Sequence, residues 1–164
     1  HGLSVSSRPG RGTMFRLSIR RGELAGIQDA TVAADTVPMT ADQPRTVLVI
    51  DDEEPIREGL QGLLETWGCH AVVAASLDEA ERLAAVMPMA PDLILSDLHL
   101  GDGPDGIEAI AAVRRLYGYP VPALLITGDT TPGEMRRATD SGHPLMFKPV
   151  QPRRLFEMLR FLSA

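Results

Sequence analysis

From Thr46 onward, five short apolar runs alternate with segments of helical period, and this alternation limits the possible folds more than any other feature of the chain. The runs are Thr46 to Ile50, His70 to Ala74, Asp92 to Ser96, Ala123 to Thr127 and Leu145 to Phe147, each of strand length and mostly apolar. The intervening segments read as amphipathic helices. The first, about Pro55 to Trp67, puts Ile56, Leu60, Leu63, Leu64 and Trp67 on one face. The second opens Ser76-Leu77-Asp78-Glu79, which reads as a capping box. The third runs from about Gly106 to Leu116 with Ile107, Ile110 and Val113 turned inward. The fourth opens Thr131-Pro132-Gly133-Glu134, a second capping box with proline in the first turn. The fifth starts at Pro152 and carries Leu155, Phe156, Leu159 and Leu162. Parallel strands need crossover connections, so five such units predict an α/β fold, a doubly wound five-stranded parallel sheet with helices on both faces. Ligands of such sheets bind beyond the carboxyl ends of the strands, which is where chemistry is expected.

With 164 residues, 44% of them hydrophobic and 23% charged, the chain has the makeup of one globular domain and a short extra segment. No apolar run approaches the roughly 20 residues a membrane helix needs. Cys69 is the single cysteine, so no internal disulfide or thiolate zinc site is available, and a reducing, cytoplasmic setting is expected. Beside a strand, Cys69 reads as a small buried hydrophobe. The net charge of −6 argues against a nucleic-acid partner, because residues 45–164 hold 18 acidic and 11 basic side chains. Lys148 is the only lysine; every other basic residue is arginine.

The first 21 residues differ, with five arginines and no acid. The chain starts at His1 with no methionine and no secretory pattern, so it is expected to be part of a longer parent. Leu3 and Val5 alternate with polar residues, Arg8 to Gly12 reads as a turn, and Phe15, Leu17 and Ile19 alternate again, which is a hairpin pattern. A lone two-stranded hairpin is marginal in water, so this one is expected to pair with strands elsewhere in a parent or to fray. Residues 22–44 are small, polar and aperiodic and read as a flexible linker, leaving 45–164 as the domain.

Four strand ends carry groups able to act together: Asp51-Asp52-Glu53-Glu54, Ser96-Asp97, Thr127-Gly128-Asp129 and Phe147-Lys148-Pro149. Carboxylates gathered at one edge repel, and a hard divalent cation with oxygen ligands, typically Mg2+, relieves the repulsion. With one lysine and one hydroxyl added, such a pocket suits phosphoryl transfer, one carboxylate being left as nucleophile. Plainer readings stand beside this one. The first acidic run could simply cap the next helix, where a helix dipole favours negative charge. Glu53 and Glu54 read individually as solvated or capping, Asp97 could be a strand-end cap, and Thr127 could bond its own backbone. Asp105 and Asp129 read as turn residues, the His99 side chain as a spectator, and the Arg114-Arg115, Arg136-Arg137 and Arg153-Arg154 pairs as solvated helix faces.

The run Val47-Leu48-Val49-Ile50-Asp51-Asp52-Glu53, then Leu93-Ile94-Leu95-Ser96-Asp97, Leu125-Ile126-Thr127-Gly128 and Phe147-Lys148-Pro149, resembles the receiver domain of two-component response regulators over about residues 45 to 164. The resemblance implies strand order 2-1-3-4-5 and signal relay by phosphorylation of Asp97 from the phosphohistidine of a histidine kinase or histidine phosphotransfer domain. It implies that Asp51, Asp52, Asp97 and the backbone carbonyl of His99 hold Mg2+, that Thr127 binds a phosphoryl oxygen, that Lys148 pairs with the aspartyl phosphate, and that the Lys148-Pro149 bond is cis. Two positions depart from the pattern. Leu145 stands where an aromatic switch residue is usual, so output is expected to take another route, and the loop 101–106 is one residue longer than usual. Ser7 to Leu17 resembles the final hairpin of the ATP-binding domain of sensor histidine kinases, which implies a hybrid histidine kinase as parent. The nucleotide boxes are absent from these 164 residues, and none of the four histidines is followed by an acid as in a phosphoacceptor helix, so no independent kinase activity is expected. Two rivals remain: a pseudo-receiver that binds partners without phosphate, and an aspartyl-phosphate phosphatase, against which His99 stands where a second aspartate is needed. A DNA-binding regulator is disfavoured because no output domain follows the fifth helix.

Overall fold

The computed structural model describes residues 2–8, 12–18 and 46–163; the expected linker 22–44 and the tip of the turn at 9–11 lie outside the described residues. The chain divides into two units, one holding a hairpin and the other a five-stranded sheet. In the first, β1 (Gly2–Arg8) pairs antiparallel with β2 (Gly12–Ser18), Val5 opposite Phe15, as the alternation predicts.

The second unit follows in the order β3 (Thr46–Ile50), α1 (Glu54–Thr66), β4 (His70–Ala74), α2 (Leu77–Val86), β5 (Leu93–Asp97), α3 (Gly106–Tyr117), β6 (Ala123–Thr127), α4 (Pro132–Asp140), β7 (Leu145–Phe147) and α5 (Pro152–Ser163). All neighbours in its sheet are parallel, in the order β4-β3-β5-β6-β7, which is 2-1-3-4-5 counted within the sheet. Because side chains alternate along a strand, each apolar run feeds two cores. Val47, Val49, Leu93, Leu95, Leu124 and Ile126 meet α1 and α5 through Leu60, Leu64, Trp67, Leu155 and Leu159. Leu48, Ile50, Ile94 and Leu125 meet α2, α3 and α4 through Ala80, Ala84, Ala109, Ile110, Val113 and Ala138. Ile56, Leu63, Ile107, Phe156 and Leu162 are partly buried against these cores, so the predicted helix faces are the packed ones. Cys69 is buried, as expected.

Three local expectations are corrected. The third strand of the sheet begins at Leu93 and ends at Asp97. Asp92 stays outside the ladder, its amide donating to the Thr46 carbonyl and its carboxylate accepting from the Thr46 amide at 2.8 Å. At α2, Ser76 caps the Glu79 amide, but Glu79 reaches the Ala75 amide at 2.7 Å, one residue short of a closed box. The box at Thr131 does not form. The Thr131 amide is already taken by Asp129 Oδ1 at 2.7 Å, and the Glu134 carboxylate is turned toward Arg137 and His99. A full capping box stands instead at the start of α3, between Asp105 and Glu108.

Candidate functional site

The sheet register brings the acidic strand ends together. Asp51 follows the last residue of β3, Asp97 ends the neighbouring β5 opposite Ile126, and Thr127 ends β6 opposite Phe147, which Lys148 follows. The Lys148 amide donates to the Thr127 carbonyl at 2.8 Å, and the Lys148-Pro149 bond is cis, as the resemblance implies. From there the ammonium reaches back across the edge: Nζ lies 2.6 Å from Asp97 Oδ2, 3.0 Å from Asp51 Oδ2 and 3.2 Å from Glu53 Oε1.

Each carboxylate is also held by its own turn. Asp51 Oδ1 accepts from the Glu53 amide at 2.9 Å, and Asp97 Oδ1 accepts from the His99 amide at 3.3 Å, the Asx pattern in which an aspartate bonds the backbone two residues on. Asp129 does the same with Thr131, so its reading as a turn residue holds. Arg57 on α1 donates to the Asp51 carbonyl at 2.6 Å and steadies the loop from behind.

Gly106 fixes the other side of the loop. A β-carbon there would overlap the Asp97 carbonyl oxygen and lie 2.7 Å from Ser96 Oγ, so only glycine lets α3 begin this close to the end of β5. The Ser96 hydroxyl donates to that same carbonyl, and the Gly106 amide donates to the Leu98 carbonyl.

Burial shapes the charges. Asp51 is 1% exposed and Asp97 6%. Desolvation pushes the Asp51 carboxyl above its ordinary 3.8, against the Glu53 amide and the Lys148 charge, which pull it down. Burial alone would lower the Lys148 ammonium from its ordinary 10.5. The hydrogen bond to Asp97 and the charges of Asp97 and Asp51 outweigh that cost and hold it above this value. Lys148 is therefore a fixed positive charge inside a carboxylate cage.

A divalent cation fits this cage. Asp51, Glu53 and Asp97 each offer an oxygen within 4.8 Å of the others, and Asp51 Oδ2 is buried without a hydrogen-bond partner, although the Lys148 ammonium lies beside it. Asp52, expected among the ligands, stands outside that group. Its carboxylate is exposed and faces the loop at Gly101, where a β-carbon would lie 3.7 Å from Oδ2. Glu53, read as solvated or capping, is exposed at the N-cap position of α1; its side chain caps no amide and bonds Lys148. Neighbouring residues of a turn point different ways, and only the three-dimensional path decides which carboxylate looks inward. Thr127 is fully buried, with Oγ1 accepting from the Asp129 amide at 3.1 Å, so its hydroxyl serves the loop in this state. Leu145 is half-buried against the core beneath α2, α3 and α4.

The family model described as response regulator receiver domain matches residues 47–160. Over 165 aligned positions, 98% of the chain, the sequence is 35% identical to the sensor histidine kinase AruS of Pseudomonas aeruginosa, of which it spans 15%. Among solved structures, the chemotaxis protein CheY4 of Vibrio cholerae gives a TM-score of 0.61 at 28% identity, over 71% of this chain and 97% of that one. A response regulator from Burkholderia pseudomallei, solved with a phosphorylated aspartic acid, calcium ion and citrate, gives 0.61 at 28% identity over 73% and 68%.

Proposed function

Because the chain belongs to the response regulator receiver domain family of two-component systems, we propose that it accepts a phosphoryl group on Asp97 from a phosphohistidine, supplied by a histidine kinase or a histidine phosphotransfer domain. The observation that carries this reading is the 2.6 Å contact between Lys148 Nζ and Asp97 Oδ2, which pairs a buried strand-end carboxylate with the lysine ammonium. An Asp97 oxygen attacks phosphorus, the phosphorus–nitrogen bond breaks, and the imidazole leaves with the electron pair and is protonated. Lys148 then balances the acyl phosphate, and the Thr127 hydroxyl, which donates to the Asp129 carbonyl at 3.4 Å, turns its hydrogen to a phosphoryl oxygen instead. Asp51, Asp97, the His99 carbonyl and either Asp52 or Glu53 would hold Mg2+. When bound, that ion neutralises the charge spread over the phosphoryl oxygens. The phosphorylated aspartate and calcium in the Burkholderia relative support this reading.

The alignment with AruS runs through the hairpin as well as the sheet, which supports a hybrid histidine kinase as parent: residues 1–21 closing its ATP-binding domain, 22–44 a linker, 45–164 the receiver. A cytoplasmic location accompanies that reading; no helix among the described residues is long and apolar enough to cross a membrane. Intact-mass spectrometry after incubation with Mg2+ and a small acyl phosphate tests it. One phosphoryl increment that disappears in Asp97→Asn and with chelator is expected. A folded protein that takes up no phosphoryl group would make it a pseudo-receiver.

A further inference from the structure

In the receiver pattern an aromatic residue at position 145 pairs with the threonine to report phosphorylation, and here that position is leucine. A different connection joins the phosphoacceptor loop to α4. His99, whose amide donates to Asp97 Oδ1, has Nε2 3.6 Å from Glu134 Oε2 on α4. That oxygen is buried and makes no hydrogen bond, so the imidazole is the group it faces. Glu134 Oε1 accepts from Arg137 NH1 at 3.5 Å, and Arg137 NH2 bonds Asp105 Oδ2. Asp105 is the N-cap of α3, joined to Glu108 by bonds of 2.9 and 3.0 Å, and it directly precedes the glycine packed on the Asp97 carbonyl. The loop is thus held to α4 at both ends, by residues 32 and 35 positions apart in sequence.

We propose that Arg137, with Glu134, is a positioning residue for the phosphoacceptor loop, and that this ionic chain carries the state of Asp97 to α4. The inference deepens the phosphoacceptor reading and rests on it for the direction of signal. Coupling is reciprocal: if α4 places the loop, a ligand that moves the loop moves α4. Packing holds α4 lightly, since Ala138 is its single buried residue and a cleft lined by Asp105, Ile107, Glu108, Arg137, Asp140 and Ser141 lies between it and α3. Arg137 and His99 are about half exposed, so the coupling is modest.

The test is nuclear magnetic resonance of the full 15N-labelled chain, with and without Mg2+, for wild type, Arg137→Ala, Arg137→Lys and Arg136→Ala. The last makes the same change of charge and size on the same helix at an exposed residue. Arg137→Ala is expected to displace the amide resonances of residues 97–105 and to weaken Mg2+ binding about two- to fivefold, the range an exposed ion pair can transmit. Arg137→Lys is expected to recover most of both, and Arg136→Ala to change neither. Arg137→Ala spectra that match Arg136→Ala around Asp97 and His99 would overturn the proposal. A wild type that neither binds Mg2+ nor takes phosphate would defeat the functional reading, while the cation-free spectra still decide the positioning role.

Discussion

The two helical layers on this sheet are built differently. Beneath α1 and α5 the helices contribute Leu60, Leu64, Trp67, Leu155 and Leu159, and Trp67 meets Phe156 edge to face with ring centroids 5.2 Å apart. Beneath α2, α3 and α4 the fully buried helix residues are four alanines with Ile110 and Val113, and the helices' larger side chains, such as Leu77, Leu83 and Ile107, are only partly buried. Long side chains that interdigitate fix a helix in depth and register, whereas an alanine face gives close contact with little to resist sliding. At α4, with nine residues and one of them buried, an ion pair to Asp105 and a polar contact to His99 replace the missing apolar anchor. One layer is a rigid base and the other an adjustable surface.

The sharpest test of that contrast is stability. Leu64→Ala should cost about 2–5 kcal/mol, because a fully buried leucine leaves both transfer energy and a cavity behind. Urea denaturation reads this directly, and a loss under 1 kcal/mol would mean the α1 layer is no firmer than the other. Next comes Gly106→Ala, about 1–3 kcal/mol by overpacking against the Asp97 peptide. The same variant should slow phosphoryl uptake by more than its loss of stability explains, as measured on the folded fraction. Ala138→Gly should cost only about 1 kcal/mol, the helix-propensity difference. Hydrogen exchange should find the α4 amides opening well before those of α1 and α5, and equal protection would dissolve the distinction.

The smallest effect concerns acid. Burial, aided by the Arg114 charge, lowers the His143 imidazole below its ordinary 6.5. The unfolded chain then binds the extra proton first, so stability on this account is full above pH 6.5 and falls as pH drops toward the folded-state value. His143→Gln should flatten the stability profile over that interval, and denaturation midpoints at several pH values would show it.

Much of this was legible beforehand because it follows from period. Runs such as Val47 to Ile50 have no plausible home but a strand buried on both faces, and their ends placed Asp51, Asp97, Thr127 and Lys148 at one edge. What could not be read were outcomes of competition. Thr131 and Glu134 have capping spacing, yet Asp129, Arg137 and His99, partners from other turns and elements, take the groups the box would need. Asp105 and Glu108 have that spacing too, at a helix start correctly expected near Gly106, but Asp105 closes a glycine-rich loop and so reads as a turn residue. The choice of Glu53 over Asp52 to face Lys148 turns on side-chain direction after a strand, which periodicity does not carry.

The solitary lysine has a practical corollary. An amine-directed electrophile meets one side-chain amine in the whole chain, and it is 17% exposed and shared among three carboxylates. A reagent needs its free-base form, which the cage suppresses, so acylation at Lys148 is throttled while the strand ends stay assembled. The labelling rate at that one side-chain atom is therefore a chemical clock for the integrity of the site.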